Sequence, residues 1–322
     1  MKNRNYAAVL TLTILAATTA WAAPSETSSA TVTPSTIEAP AGRTEIFNDI
    51  RVTVRGEGRS IIMVPGLNSA AAVWDETCAQ LQAEKMQCHM VQLPGFAGLA
   101  ARVDTNKEAQ FLSPARDSLL AYIAAKKLKQ PIIIGHSLGG ALALQIAIKS
   151  PGTLGQIIIV DSLPFFPAAT APGATAATSK PMADGMKIGM MQGTLENYHK
   201  GLKANLRGMT LREKRLETLV NWGLSSDRAS TTQAMYELFT VDLRDDISKI
   251  TTPTLVLGSW AAYAQFGSTE ESTRKIFTDQ YAKLKGVRIE MSKTGYHFLM
   301  WDDPQWLVAQ VKNFIAMPKN AT

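Results

Sequence analysis

The chain carries no run of lysine or arginine and no interleaving of basic with aromatic residues, so nucleic acid is not an expected partner despite a formal net charge of +6. The apolar stretch at residues 7–19 is shorter than the ~20 residues that cross a bilayer, which argues against a membrane anchor. No cysteine directly follows that stretch, so a lipoprotein is not indicated either. Histidine is scarce, with four in 322 residues, and any chemistry that needs an imidazole therefore has few candidates.

What is present begins with an export signal. Lys2 and Arg4 precede the apolar stretch, and Ala20-Trp21-Ala22-Ala23 supplies the small-x-small pattern that a signal peptidase cuts after. Residues 1–23 are expected to be a signal peptide and the mature protein periplasmic or secreted, with no stable membrane insertion after cleavage. The Ser, Thr, Pro and Ala of residues 24–43 bury too little apolar surface to fold alone and are expected to form a disordered linker. Export leaves two readings of the only cysteines, Cys78 and Cys88: a disulfide stapling one strand–helix unit, or two buried thiols. The Cα separation decides between them. With 46% hydrophobic content, the remaining length suits one globular domain carrying an insertion.

The chain is organised around Pro131-Ile132-Ile133-Ile134-Gly135-His136-Ser137-Leu138-Gly139-Gly140. A short β-branched run predicts a buried strand, Gly-x-Ser-x-Gly a sharp turn, and residues 141–147 a buried helix. Gly135 and Gly139 lack the Cβ that would collide where strand and helix nearly touch. Ser137 is thereby presented at the apex as a nucleophile.

That segment resembles the nucleophile elbow of the α/β-hydrolase superfamily, and the similarity extends over about residues 44–317. The fold implied is an α/β-hydrolase core, a mostly parallel sheet flanked by helices, with an inserted helical cap. Alternating apolar strands and helices agree with a parallel sheet covered on both faces. The core is assigned to residues 44–163 and 240–322, and the cap to 164–239, where Met182, Met186, Met190, Met191 and Met209 suit a pocket for apolar ligands. Pro65-Gly66-Leu67 stands where the family has His-Gly-x, so the resemblance places one oxyanion-hole N–H on Leu67 and the other on Leu138. Among the histidines, His136 lies in the elbow, His89 in a predicted strand and His199 in the cap. His297 remains, in a segment similar to the family's terminal Gly-x-His-Phe loop, and it follows Ser137 in the chain order that the superfamily uses.

The acid departs from the usual pattern. The loop after the strand containing Leu255-Val256-Leu257, where the family commonly carries it, reads Ser259-Trp260-Ala261-Ala262-Tyr263 without a carboxylate. Asp161, at the end of the strand after the elbow helix, is the first candidate to orient His297. Glu270 or Glu271 comes next, followed by Asp242 or Asp246. The function expected is an exported serine hydrolase cleaving a small apolar carboxylic ester through an acyl-enzyme, without metal or cofactor. Lactonase, perhydrolase and acyltransferase chemistry would use the same residues. A binding protein on a hydrolase scaffold is the alternative from another class, favoured by the missing carboxylate.

Overall fold

The computed structural model describes residues 42–102 and 110–317, so the expected signal peptide and nearly all of the expected linker lie outside the described residues. Eight strands form one sheet in the order β1-β2-β4-β3-β5-β6-β7-β8. They are β1 (Arg43–Phe47), β2 (Ile50–Arg55), β3 (Arg59–Val64), β4 (Met86–Gln92), β5 (Ile132–His136), β6 (Gln156–Val160), β7 (Thr254–Gly258) and β8 (Arg288–Met291). The β1–β2 and β2–β4 pairs are antiparallel and the other five parallel. Arg43, expected as the last linker residue, instead opens β1, because it pairs opposite Val54 in the edge hairpin.

Helices cover both faces, as an apolar parallel sheet requires. The core helices are α1 (Asp75–Gln82), α2 (Leu112–Ala125) and α3 (Leu138–Lys149). After the insertion come α8 (Glu270–Gln280), α9 (Leu299–Asp302) and α10 (Pro304–Ile315). Successive strand residues point to opposite faces. Ile62, Ile133, Ile157, Ile159 and Val256 accordingly pack with α2, α3 and α8. Ile61, Ile132, Ile134, Ile158 and Leu257 pack with α1, α9 and α10. Strands β5, β6 and β7 are buried along their whole length, so their C-terminal ends are held firmly side by side.

Between β6 and β7 the chain forms four helices, α4 (Ala176–Gln192), α5 (Leu195–Leu206), α6 (Glu213–Leu224) and α7 (Arg228–Thr240). Their junction with the core is built from hydrogen bonds. Asp227 N donates to Gly95 O at 2.7 Å, and Gly98 N to Ser225 O at 3.1 Å. The buried Glu237 of α7 accepts Phe111 N at 2.6 Å and Leu112 N at 2.8 Å. A carboxylate is thus set on the N–H groups that the first turn of α2 leaves without partners. Of the methionines in this region, Met182 is 55% and Met191 44% exposed, while α4 buries Ser179 and Ala183.

Cys78 of α1 and Cys88 of β4 are bridged, with a Cα–Cα distance of 6.0 Å. Of the two readings left open by the sequence, the disulfide is the one formed. Both residues are fully buried, so the staple ties α1 to the sheet from inside the core.

Candidate active site

Strand β5 ends at His136, and Ser137 takes φ 51° and ψ −118° before α3 begins. Such backbone is strained for a residue with a Cβ and persists only where its surroundings hold it. Here Ser137 N donates to Val160 O at 2.9 Å, and Gly140 N to Ser137 O at 2.8 Å. A Cβ on Gly135 would lie 2.2 Å from Gly139 O, so no larger residue lets the strand and the helix approach in this way.

The loop after β3 closes one side of the serine. A Cβ on Gly66 would lie 3.1 Å from Ser137 Cβ, which brings Pro65-Gly66-Leu67 into contact with the elbow. Leu138 is the first residue of α3, so its N–H has no acceptor one turn earlier. Neither Leu67 N nor Leu138 N donates to an acceptor among the described residues. Two unspent N–H groups beside a hydroxyl, one of them at a helix N-terminus, can receive negative charge developing on an oxygen.

His297 lies between β8 and α9. Its Nδ1 is 2.6 Å from Asp161 Oδ2, although 136 positions separate the two in sequence. Asp161 follows β6 with φ 46°, a left-handed conformation that aspartate tolerates better than most residues. Its carboxylate also accepts Ser259 N at 2.8 Å on Oδ1 and Ser259 Oγ at 2.9 Å on Oδ2. Tyr281 Oη donates to Ser162 O at 2.9 Å and pins the same turn. The other acidic candidates are engaged elsewhere: Glu270 with Arg274 at 3.1 Å, Asp242 with Arg244 at 2.6 Å, and Asp246 with Lys249 at 2.6 Å. Glu271, beside Glu270, stands in the first turn of α8.

Ser259 is the residue that sequence reasoning passed over. It stands directly after β7, in the place where a carboxylate was looked for, and hands its two donors to the acid on the neighbouring strand. Its position was the available signal, because the C-terminal ends of β6 and β7 lie side by side in a parallel pair.

His136 contributes through its ring. It is fully buried, and that burial, followed by the nearby His297, holds its pKa well below the usual imidazole value. The neutral ring donates from Nε2 to the carbonyl oxygen of His297 at 3.0 Å, a role that a carbonyl partner imposes. The two imidazoles are 4.5 Å apart between centroids, so His297 is placed beside the residue preceding Ser137. The Ser137 hydroxyl makes no hydrogen bond among the described residues. In sites of this kind the serine–imidazole bond often tightens only when substrate is bound.

His89 stays remote from this cluster, between Tyr122 Oη at 2.8 Å and Gln87 Oε1 at 3.1 Å. Burial lowers its pKa to about 4, while the nearby Glu45 opposes and Arg43 and Lys126 reinforce the shift. Between the unfolded value of 6.5 and about 4 the unfolded chain binds the proton and the folded chain does not. Stability therefore falls as pH drops through that window and is unaffected by this group above it. Thermal unfolding should show a lower midpoint at about pH 5 than at about pH 7, with a shallower fall in His89→Gln. An identical fall in the variant would assign the acid sensitivity to other groups, the buried His136 first.

Among the described residues no helix is long and apolar enough to cross a membrane, and no cluster of His, Cys, Asp and Glu is placed to hold a metal ion. Comparison with known proteins adds lineage to this geometry. The profile of the Alpha/beta hydrolase family matches residues 61–310. A pimeloyl-[acyl-carrier protein] methyl ester esterase of Vibrio atlanticus is 33% identical over 119 residues, spanning 37% of this chain and 42% of that protein. The protein of the same name from Aeromonas hydrophila is 24% identical over 271 residues, 81% of this chain and 96% of its own. Among solved structures, an esterase from Exiguobacterium antarcticum superposes with a TM-score of 0.67 at 18% identity, covering 83% of this chain and 96% of that one.

Proposed function

Since the chain belongs to the alpha/beta hydrolase family, we propose that it is an exported serine hydrolase that cleaves carboxylic esters bearing a small apolar acyl or alcohol group. The observation that carries this is the 2.6 Å contact between His297 Nδ1 and Asp161 Oδ2, formed beside a serine held in a strained elbow. A carboxylate on Nδ1 keeps the proton there and leaves Nε2 as the basic nitrogen, the form that can take a proton from serine.

The steps follow from that arrangement. Ser137 Oγ attacks the ester carbonyl as His297 Nε2 removes its proton, and the N–H groups of Leu67 and Leu138 receive the oxyanion. The protonated imidazole, stabilised by Asp161, then gives the proton to the departing alcohol and leaves an acyl group on Ser137. Water, deprotonated by the same nitrogen, attacks the acyl-enzyme, and the imidazolium returns the proton to Ser137 Oγ as the acid leaves. Ester chemistry is supported by the esterase relatives. The binding-protein alternative rested on a missing carboxylate, and Asp161 now stands on His297.

One mass measurement tests the chemistry and the export together. Protein recovered from outside the cytoplasm and treated with a fluorophosphonate should begin at about residue 24, as signal cleavage requires. It should also carry a single adduct on Ser137. A chain retaining its first residues would overturn export, and an unmodified Ser137 in folded protein would overturn the nucleophile.

A further inference from the structure

Asp302, five positions after His297, ties the cap to the loop that carries the imidazole. Its Oδ1 accepts Thr210 Oγ1 at 2.8 Å and Leu211 N at 3.1 Å. Its Oδ2 accepts the same Leu211 N at 3.1 Å and Tyr296 N at 3.2 Å. Thr210 and Leu211 belong to the turn between α5 and α6, in the cap, whereas Tyr296 immediately precedes His297. On the other side of the histidine, Phe298 N donates to Met209 O in that same turn at 3.2 Å.

The backbone around His297 is therefore fixed at three consecutive residues. The N–H of 296 is held by Asp302, the carbonyl of 297 by His136, and the N–H of 298 by Met209. Two of the three ties lead to one cap turn. Rings reinforce the same path: Phe298 stacks on Trp301 at 5.2 Å between centroids, and Trp301 lies against Trp222 of α6 at 5.7 Å and under the Arg215 guanidinium at 4.7 Å. A side chain with two torsions on a backbone so constrained has little freedom beyond the orientation that meets Asp161.

We propose that Asp302 is a positioning residue through which the cap turn at 209–211 sets the His297 imidazole for proton transfer. It rests on the serine-hydrolase mechanism above and makes the cap part of the base's support in addition to a cover. Loosening the turn takes the acceptor away from Phe298 N and frees the Asp302 carboxylate, which holds Tyr296 N, to reorient. Displacements of about 1 Å in a reacting group cost on the order of a hundredfold in rate.

The test compares Asp302→Asn and Thr210→Val with wild type by kcat and KM on a p-nitrophenyl ester, by unfolding midpoint, and by the downfield NMR resonance of the His297 Nδ1 proton. Asparagine must turn an N–H towards one of the present donors, so Asp302→Asn should lower kcat about tenfold or more, with KM within about twofold and the resonance broadened or lost. Thr210→Val, which removes only the cap's hydroxyl, should move kcat and the resonance in the same direction by less. A folded Asp302→Asn with unchanged kcat and resonance, whatever its unfolding midpoint, would overturn the proposal and leave the residue a structural one. If Asp302→Asn does not fold, Thr210→Val decides by the same readouts. Wild-type protein without ester turnover would instead overturn the hydrolase mechanism, and the His297 resonance would still test the tether.

Discussion

Replacing Ser137 by alanine should lower ester turnover by about 10⁴-fold or more and abolish the fluorophosphonate adduct, with KM and the unfolding midpoint nearly unchanged. The substitution removes one oxygen that makes no hydrogen bond among the described residues, so it orphans no partner and opens no sizeable cavity. It also leaves the backbone strain as it is, since alanine meets φ 51° with the same Cβ that serine has. What remains in the variant is the pair of N–H groups and the substrate site, which sustain a small residual rate by charge stabilisation alone. Turnover persisting at even a tenth of the wild-type rate would mean that water or another side chain attacks the ester, and the acyl-enzyme would have to be abandoned.

The second large effect is expected at Asp161. Asparagine occupies the same volume and accepts the left-handed backbone at φ 46° as readily as aspartate, so Asp161→Asn should fold. Ser259 N is a fixed donor to Oδ1, which favours the one remaining oxygen in that place, whereas the Ser259 hydroxyl at Oδ2 can rotate to accept. The amide nitrogen would then face His297 Nδ1, and the imidazole would have to carry its proton on Nε2. A base protonated on the nitrogen that should receive the proton cannot activate serine. A loss of about 10⁴-fold in kcat with substrate binding largely retained is the expected result. The parallel variants Glu270→Gln and Glu271→Gln should keep nearly full activity, because Glu270 is occupied by Arg274 and both stand at the start of α8. A larger loss in either of them than in Asp161→Asn would move the acid off β6.

These two variants also mark where sequence reasoning succeeds and where it stops. The elbow was legible because its determinants are local: an apolar strand, glycines at the two points of closest approach, and a helix-forming run directly afterwards. His297 was legible because so few histidines compete and because the residues around it match the family's terminal loop. The edge strand at Arg43 was missed, since the partner that makes it a strand, Val54, lies across a hairpin rather than beside it.

Position 137, its strained turn and the sheet that presents it were thus determined by the sequence itself, through short-range sterics and the alternation of apolar residues. The contact of Asp161 with His297, the double donation from Ser259 and the grip of Asp302 on the histidine loop were decided only in three dimensions. The reason is that β6, β7 and the loop after β8 bring their ends together through pairing of buried strands, whatever number of residues lies between them. Asp161 and His297 meet across 136 positions of sequence because two parallel ladders set their separation.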